Sequence, residues 1–252
     1  MKYFQTRLER QVEFLEHNKD IGILGTGVHI FNSEDDETSS DDTSTEKRLI
    51  FHPTNPGFVS WTLMFYCCLV HPSVMMRREV FDIVGLYSPD VHHVEDYDLW
   101  LRAMEAGVKL ANLPDVLLKL RKHKSSVSST HCEMQKQNAA EVVTSSINRF
   151  TGRSLPDVRL DQVTMMRDES TVNAAEELEP LFDLIELLEN YFCAAGGIDG
   201  IDSKLIHRDA LSRLGAMAVI GMGNFAFDAI GVYNRWSKLD KIRSRDLLLK
   251  LV

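Results

Sequence analysis

The chain of 252 residues is long enough for one large domain, or for one domain with a helical appendage. With 44% hydrophobic and 26% charged residues, it has the composition of an ordinary globular protein, which excludes a disordered or fibrous chain. The formal net charge of −9 argues against a nucleic-acid partner, because no surplus of basic residues is present to neutralise phosphates.

The first predicted element is a helix. Residues 1–15 carry scattered charges and no apolar core, so we expect no secretory signal there. Thr6 and Glu9 have the residue types and the spacing of a capping box, and apolar residues then recur at helical spacing. The pattern predicts a helix from about Arg7 to His17.

The second predicted element is a strand over residues 21–31, in which glycines interrupt an apolar run. These glycines do not form a dinucleotide-binding fingerprint, because that motif needs a strand before the glycines and a helix after them. Glycines within a strand more often mark a close approach of another backbone or a bulge. Residues 33–46 follow, with seven carboxylates and no apolar residue, and they are predicted to form a mobile, solvated loop.

Short helices and strands alternate through the next part of the chain, as in an α/β domain. We predict a return strand at 48–51, a helix at 58–65, a strand at 70–76, a helix at 78–84, a helix that follows Asp96, and strands at 108–113 and 116–121 joined through Pro114. Gly85 and Gly107 are predicted to end the second and third of these helices, since glycine readily adopts a left-handed cap.

From Ser129 onward the strand signals vanish. Helices are predicted over residues 132–150, 176–192 and 204–233, with a turn at Gly196–Gly200. We therefore predict two regions, an α/β domain over residues 1–128 and a helical C-terminal region over residues 129–252.

The C-terminal region also contains the one stretch that approaches membrane-spanning length, residues 216–233. Asn224 and Asp228 would be costly in hydrocarbon, so we expect a buried packing helix and no transmembrane span. Residues 234–252 form a basic amphipathic segment, which can contact a membrane surface, although a terminal helix that packs on its own domain is the simpler interpretation.

The four cysteines form no metal-binding or redox motif, since none stands in a CxxC pair. Cys67 and Cys68 are adjacent within an apolar run, and we expect buried thiols there rather than a disulfide. A reducing, cytoplasmic location fits this pattern.

Three carboxylates, Glu95, Asp96 and Asp98, crowd the predicted start of a helix. Acids are favoured there because a helix N-terminus carries partial positive charge, so helix capping alone could account for them. The flanking segments add a second explanation. In their order and spacing, His71–Arg78, Val94–Arg102 and Leu120–His123 together resemble the acceptor-side half of a family 2 glycosyltransferase with the GT-A fold.

The resemblance implies an incomplete, Rossmann-like mixed sheet flanked by helices. It also implies transfer of a sugar, with inversion, from a nucleoside diphosphate sugar to an acceptor hydroxyl. A UDP-sugar is the expected donor. Such a transfer needs a carboxylate that takes the proton from the acceptor hydroxyl, and positive charge that holds the departing diphosphate.

The resemblance assigns these roles to particular residues. Asp96 would be the catalytic base, and Glu95 would position it or accept a hydrogen bond from the sugar. Arg121 would bind the diphosphate, because a guanidinium offers planar, bidentate donors. His123 would bind a divalent ion, Mn²⁺ or Mg²⁺. The alternative for Arg121 and His123 is a solvated basic loop.

The resemblance also implies an acceptor cleft near His71, Ser73 and Trp100. The first two lie in the segment that precedes the acid pair, and Trp100 follows it on the apolar stripe of the helix. His92 and His93 come just before the acid pair, where surface histidines are the simpler interpretation.

In relatives, an Asp-x-Asp or Asp-Asp element that bridges the metal and the diphosphate precedes the segment that resembles residues 6–16. Met1–Gln5 stands in its place here and contains no acid, so the resemblance covers residues 6–128 and implies that the nucleotide-binding half is missing. The chain could then be part of an active enzyme, or a non-catalytic binding or scaffold protein derived from a glycosyltransferase. A third interpretation, an unrelated α/β binding module, would leave Glu95, Asp96, Arg121 and His123 scattered.

Overall fold

The computed structural model describes residues 2–3, 6–32, 48–122, 132–152, 178–194 and 203–213, and the structural statements below concern these ranges. The chain divides into two compact units, Met1–Leu155 and Pro156–Val252. The features predicted at 33–46, His123, Gly196–Gly200, 216–233 and 234–252 lie outside the described residues.

The first unit has the predicted α/β architecture, built on a mixed sheet. Its described strands are β1 (Lys2–Tyr3), β2 (Ile21–Asn32), β3 (Arg48–Ile50), β4 (Met75–Met76) and β5 (Lys109–Lys122). They follow the order β1-β5-β2-β3, and β4 pairs separately with β2. The long central strands β2 and β5 run parallel, whereas the other pairs are antiparallel. Parallel neighbours need a crossover connection, and the segment between β2 and β5 supplies it with helices.

The described helices agree with most of the predicted ones. In the first unit they are α1 (Arg7–His17), α2 (Pro56–Leu63), α3 (Glu79–Val84), α4 (Glu95–Glu105) and α5 (Cys132–Thr151). The second unit contains α6 (Leu178–Ala194) and the helical residues 203–213, here called α7. Gly85 and Gly107 follow α3 and α4 with φ values of 78° and 80°, so the predicted glycine ends are confirmed. No helix in the described ranges has the length and apolarity that a membrane span requires.

The start of α1 differs from the prediction. Thr6 precedes the helix with a helical backbone conformation, and its side chain makes no capping hydrogen bond, so the predicted capping box is wrong. Buried side chains fix the helix instead. Gln11 donates from Nε2 to the carbonyl oxygens of Leu24 (3.1 Å) and Ser73 (2.9 Å), which ties α1 to β2 and to the turn before β4. Leu15 packs in an apolar cluster with residues of β2 and β5.

The predicted strand at 70–76 is largely wrong. Residues His71–Ser73 form a 3₁₀ turn, and only Met75–Met76 pair with β2. Pro72 has no backbone N–H to donate to a ladder, which disfavours a strand at that point. The Ser73 hydroxyl donates to the Val70 carbonyl at 2.7 Å and stabilises the turn.

The two strands predicted on either side of Pro114 form one strand, β5. The pairing with β2 shifts at this point, since Thr26 faces Leu113 and Gly27 faces Val116. Pro114 and Asp115 therefore make a bulge, which is where a strand accommodates a proline.

The glycines of β2 confirm the predicted close approach of neighbouring groups. A Cβ atom at Gly25 would lie 2.1 Å from Oδ1 of Asn112 on β5. The Asn112 amide cannot easily move away, because its Nδ2 donates to the carbonyl oxygens of Pro53 (2.9 Å) and Cys68 (3.1 Å). The centre of the sheet therefore needs glycine at this position.

The helix α5 lies in the first unit, so the division between the compact units comes one helix later than the predicted boundary at 128/129. It packs along α4, with Val143 and Ile147 fully buried. Near the end of both helices, Arg149 donates from Nε and Nη2 to the two carboxylate oxygens of Glu105, each at 2.8 Å.

The second unit is helical throughout its described part. Leu184, Ile185 and Leu188 of α6 and Ile206 of α7 are buried. The buried Glu189 of α6 pairs with Nδ1 of His207 on α7.

Candidate active site

The three carboxylates at the start of α4 have different surroundings. Val94 is the N-cap residue, and it makes no side-chain capping bond. Glu95 is exposed, and Asp98 is paired with Arg102, whose Nε lies 2.9 Å from Oδ2. Asp96 is half-buried and accepts a hydrogen bond from the backbone N–H of Tyr97 at 2.8 Å. It therefore contributes to the first turn of the helix without being the capping residue.

The electrostatic surroundings of Asp96 favour a proton acceptor. Burial is the main cause that raises the pKa of its carboxyl above the usual aspartate range, and the charge of Glu95 adds to this effect. The charge of His71 and the hydrogen bond from Tyr97 partly offset the rise. A carboxylate with a raised pKa binds a proton more readily, which is the property that a general base needs.

His71 lies beside this carboxyl, on the 3₁₀ turn. Its Nε2 is 3.0 Å from the hydroxyl oxygen of Tyr87. The imidazole also packs edge-on against Trp100, with ring centroids 6.0 Å apart. Tyr87 belongs to the same group, because burial raises the pKa of its hydroxyl and the charges of Asp96 and Glu95 raise it further. Asp96, Glu95, His71 and Tyr87 are therefore neighbours.

An open cleft of about 430 Å³ lies next to this group. We call it the 87–95 cleft after its lining residues, which are Tyr87, Ser88, Pro89, Val91, His92, His93 and Glu95. Its described residues supply hydroxyl, imidazole and carboxylate groups. His92 and His93, interpreted above as surface histidines, line this cleft. Their position just before the acid pair is the sequence signal that could have indicated this role.

Ser73 and Trp100, both predicted in the acceptor cleft, are fully buried. The Ser73 hydroxyl oxygen accepts a hydrogen bond from the N–H of Thr26 at 3.2 Å, which ties the turn of His71 to β2. The indole Nε1 of Trp100 is buried without a hydrogen-bond partner, and the ring supports His71 from the protein interior. In this structure both residues lie beneath the site and do not line its surface.

Cys67 and Cys68 are free thiols, as predicted. Cys68 is buried, whereas Cys67, also predicted to be buried, is half-buried. Burial raises the pKa of the Cys67 thiol well above its usual range, and the charge of Asp96 raises it further. Cys67 therefore lies near the acid pair as a protonated thiol, which is a poor nucleophile.

Arg121, predicted to bind diphosphate, lies on β5 opposite Phe31 of β2. Its guanidinium carbon is 5.8 Å from the centroid of the Phe31 ring, and its buried Nε has no hydrogen-bond partner within the described ranges. The predicted metal ligand His123 lies outside the described residues. Within the described ranges, no three His, Cys, Asp or Glu side chains are grouped so that they could hold a metal ion.

Comparison with known proteins finds several that are named as glycosyltransferases. The chain is 30% identical over 159 residues to the bifunctional glycosyltransferase pgtA of Dictyostelium discoideum. It is 31% identical over 117 residues to the amylovoran biosynthesis glycosyltransferase AmsE of Erwinia amylovora. It is 29% identical over 126 residues to the O-antigen biosynthesis glycosyltransferase WbnJ of Escherichia coli.

These alignments cover about half of this chain, namely 54%, 46% and 49%. The chain in turn covers 20%, 39% and 45% of the three relatives, which is less than half of the length of each. No protein-family model matches the chain. The similarity supports a glycosyltransferase-like protein.

Proposed function

We propose that this chain is the acceptor-side part of a family 2 glycosyltransferase of the GT-A type, and that it transfers a sugar to a hydroxyl with inversion. The observation that carries the proposal is the half-buried Asp96, whose pKa burial raises and whose neighbours Glu95 and Tyr87 line the open 87–95 cleft. The similarity to named glycosyltransferases supports the reaction class.

In the proposed reaction, Asp96 takes the proton from the acceptor hydroxyl while the hydroxyl oxygen attacks the anomeric carbon of the donor. The new C–O bond forms on the face opposite to the departing nucleoside diphosphate, and the bond to that phosphate oxygen breaks with its electron pair. Displacement from the opposite face inverts the anomeric centre. A base placed within hydrogen-bond reach of the hydroxyl typically contributes about 10²–10⁴-fold to the rate.

The acceptor would lie in the 87–95 cleft. Glu95 would accept a hydrogen bond from a second hydroxyl of the sugar, and the His71–Tyr87 pair would orient groups close to Asp96. The described residues of the cleft lining supply hydroxyl, imidazole and carboxylate groups, which favours a neutral, hydroxyl-rich acceptor, because these groups exchange hydrogen bonds with sugar hydroxyls.

The departing diphosphate would be held by Arg121 and by a Mn²⁺ or Mg²⁺ ion to which His123 contributes a ligand. The buried Nε of Arg121, which has no hydrogen-bond partner among the described residues, is a donor that a phosphate oxygen could satisfy. A UDP-sugar is the donor that we propose, and the ion would neutralise charge that develops on the leaving group.

The direct test compares Asp96→Asn with the unmodified chain. Purified protein is incubated with UDP-sugars, Mn²⁺ and a panel of glycosides, and transfer is measured by mass spectrometry, while calorimetry measures UDP binding in Mn²⁺. We expect Asp96→Asn to lower kcat by about 10²–10⁴-fold with UDP affinity unchanged, since the base acts on the acceptor.

Asp82→Asn is the matched control, because Asp82 is an exposed aspartate on α3 and should leave turnover unchanged. Equal turnover of Asp96→Asn and the unmodified chain would refute the role of Asp96. If the unmodified chain neither binds UDP with Mn²⁺ nor transfers sugar, the proposal fails for this chain, and a non-catalytic binding protein becomes the better explanation.

A further inference from the structure

The segment that connects α3 to α4, residues 85–94, supplies most of the lining of the 87–95 cleft. At its beginning, Arg102 of α4 donates from Nη1 to the Val84 carbonyl and from Nη2 to the Leu86 carbonyl, the latter at 3.0 Å. The ion pair with Asp98 keeps the guanidinium in place. The first end of the segment is therefore attached to α4 itself.

The other end of the segment is attached to α5. Gln135 donates from Nε2 to the His93 carbonyl at 2.9 Å, and Asn138 donates from Nδ2 to the His92 carbonyl at 2.7 Å. The two amides are three residues apart and thus lie on one face of the helix. Both contacts join residues that are more than 40 positions apart in the sequence.

The backbone at this second end is unusual. His93 has a φ of 66°, the one positive value among the described residues other than glycine. A side chain makes this left-handed conformation unfavourable, and it persists where the surroundings hold it in place. The amide groups of Gln135 and Asn138 donate to the carbonyls of His93 and His92. These two hydrogen bonds therefore stabilise the positive φ of His93, two residues before Glu95.

We propose that Gln135 and Asn138 are positioning residues of the 87–95 cleft. Through the carbonyls of His92 and His93 they fix the imidazole side of the cleft relative to Asp96, and so determine how an acceptor hydroxyl meets the base. The role in acceptor binding rests on the proposed function, whereas the effect on the cleft segment does not. The proposal also assigns α5 a role in the site, although this helix lies outside residues 6–128, which carry the resemblance to glycosyltransferases.

The attachment of α5 to the first unit does not depend on these amides. Val143 and Ile147 are buried, and Arg149 makes two hydrogen bonds to Glu105 at the far end of the helix. Removal of the amide donors should therefore leave α5 packed while it frees the cleft segment. Removal of Arg149 should weaken the packing of α5 without a selective effect on that segment.

The first experiment uses the full chain and measures hydrogen–deuterium exchange of peptides that cover residues 86–95. We compare Gln135→Leu and Asn138→Leu with Gln137→Leu, which replaces an exposed glutamine on the same helix. Each of the first two variants should raise exchange in this segment about tenfold, the effect of one lost hydrogen bond at the upper end of the usual range. Gln137→Leu should leave it unchanged.

Two further variants separate positioning from general stability. Gln135→Glu keeps the side-chain length but replaces the donor with an acceptor, so it should raise exchange at least as much as Gln135→Leu. Arg149→Leu should lower the Tm without a selective effect on residues 86–95. The proposal would be overturned if Gln135→Leu and Asn138→Leu left the exchange of residues 86–95 at the level of Gln137→Leu. It would also be overturned if they raised exchange equally throughout the first unit.

The second experiment measures acceptor use with UDP-sugar and methyl glycosides as the probes. Gln135→Leu and Asn138→Leu should raise the KM for the glycoside about tenfold, with the affinity for UDP in Mn²⁺ unchanged. An unchanged KM together with raised exchange would refute the role in acceptor binding. If the unmodified chain transfers nothing, the proposed function fails, and the exchange measurements still decide whether the two amides position the segment.

Discussion

Asp96 differs from the acids next to it in its burial and in its contacts. This difference depends on the folded structure and is not contained in the sequence motif. Glu95, Asp96 and Asp98 have similar chemistry, and any of them could stabilise the start of a helix. In the folded chain Asp98 pairs with Arg102 and Glu95 is exposed, whereas Asp96 is half-buried and has a raised pKa. The carboxyl that the resemblance singled out is thus one whose pKa burial raises.

This burial predicts a stability change at the residue scale. A carboxyl with a raised pKa binds its proton up to a higher pH in the folded state than in the unfolded state, where its pKa is about 3.9. The ionised form therefore destabilises the fold, and the loss grows as the pH rises from about 4 through the folded pKa. Asp96→Asn should raise the free energy of unfolding at pH 7, and the gain should shrink as the pH falls towards 4.

Urea unfolding of Asp96→Asn at several pH values between 4.5 and 8 checks this expectation. Asp82→Asn is the control and should change the free energy of unfolding by less than about 0.5 kcal/mol, as surface substitutions usually do. A free energy of unfolding for Asp96→Asn below that of the unmodified chain at pH 7 would show that the carboxylate stabilises the fold.

The strands β2 and β5 show that the partner strand determines where a strand needs glycine and where it forms a bulge. The sequence pattern predicted that glycines in β2 mark a close approach, and Gly25 against Asn112 confirms it. The same kind of reasoning predicted two strands around Pro114, where the structure has one strand with a bulge. A bulge depends on the register of the partner strand, which a single segment does not contain.

At this scale we predict that Gly25→Ala lowers the free energy of unfolding by about 1–3 kcal/mol, the usual effect of overpacking. The new methyl group would meet Oδ1 of Asn112, whose amide is held by two carbonyls. Gly22→Ala is the comparison, because its nearest contact, Cγ1 of Val108, ends a half-buried side chain that can shift. Urea unfolding should rank Gly25→Ala as the more destabilising variant, and the reverse order would contradict this account.

At the scale of the whole chain, the extent of the first unit is set by packing. The loss of strand signals from Ser129 onward led to the predicted boundary at 128/129, which stays a prediction. In the structure α5 packs along α4, and the compact unit that contains both helices ends at Leu155. A local sequence pattern indicates which secondary structure a segment forms, and it does not contain the partner on which that segment packs.

We therefore expect a chain that ends at Leu155 to unfold cooperatively, and a chain that ends at Ser128 to be much less stable. The shorter chain loses the burial of Val143 and Ile147, which contributes about 1.5–3 kcal/mol for each side chain. Calorimetric melting of both shortened chains checks this prediction. Equal Tm values would show that α5 adds nothing to the stability of the unit.

The sequence by itself determined the local features of this protein. The glycine ends of α3 and α4 and the helix that begins at the acid pair could be predicted, because each depends on residues close together in the chain. The helix at Arg7–His17 was predicted by its apolar spacing, although contacts with distant residues, and not the expected capping box, fix its place. The resemblance that singled out Asp96 and His71 also depends on the linear order of short segments.

Only the tertiary structure decided how these features form a site. It buried Ser73 and Trp100, formed a cleft lined by Glu95 and Tyr87, and brought Gln135 and Asn138 to the carbonyls of His93 and His92. The reason is physical. Burial, the pKa of a carboxyl and hydrogen bonds between distant residues depend on which surfaces pack together, and that packing is a property of the folded chain as a whole.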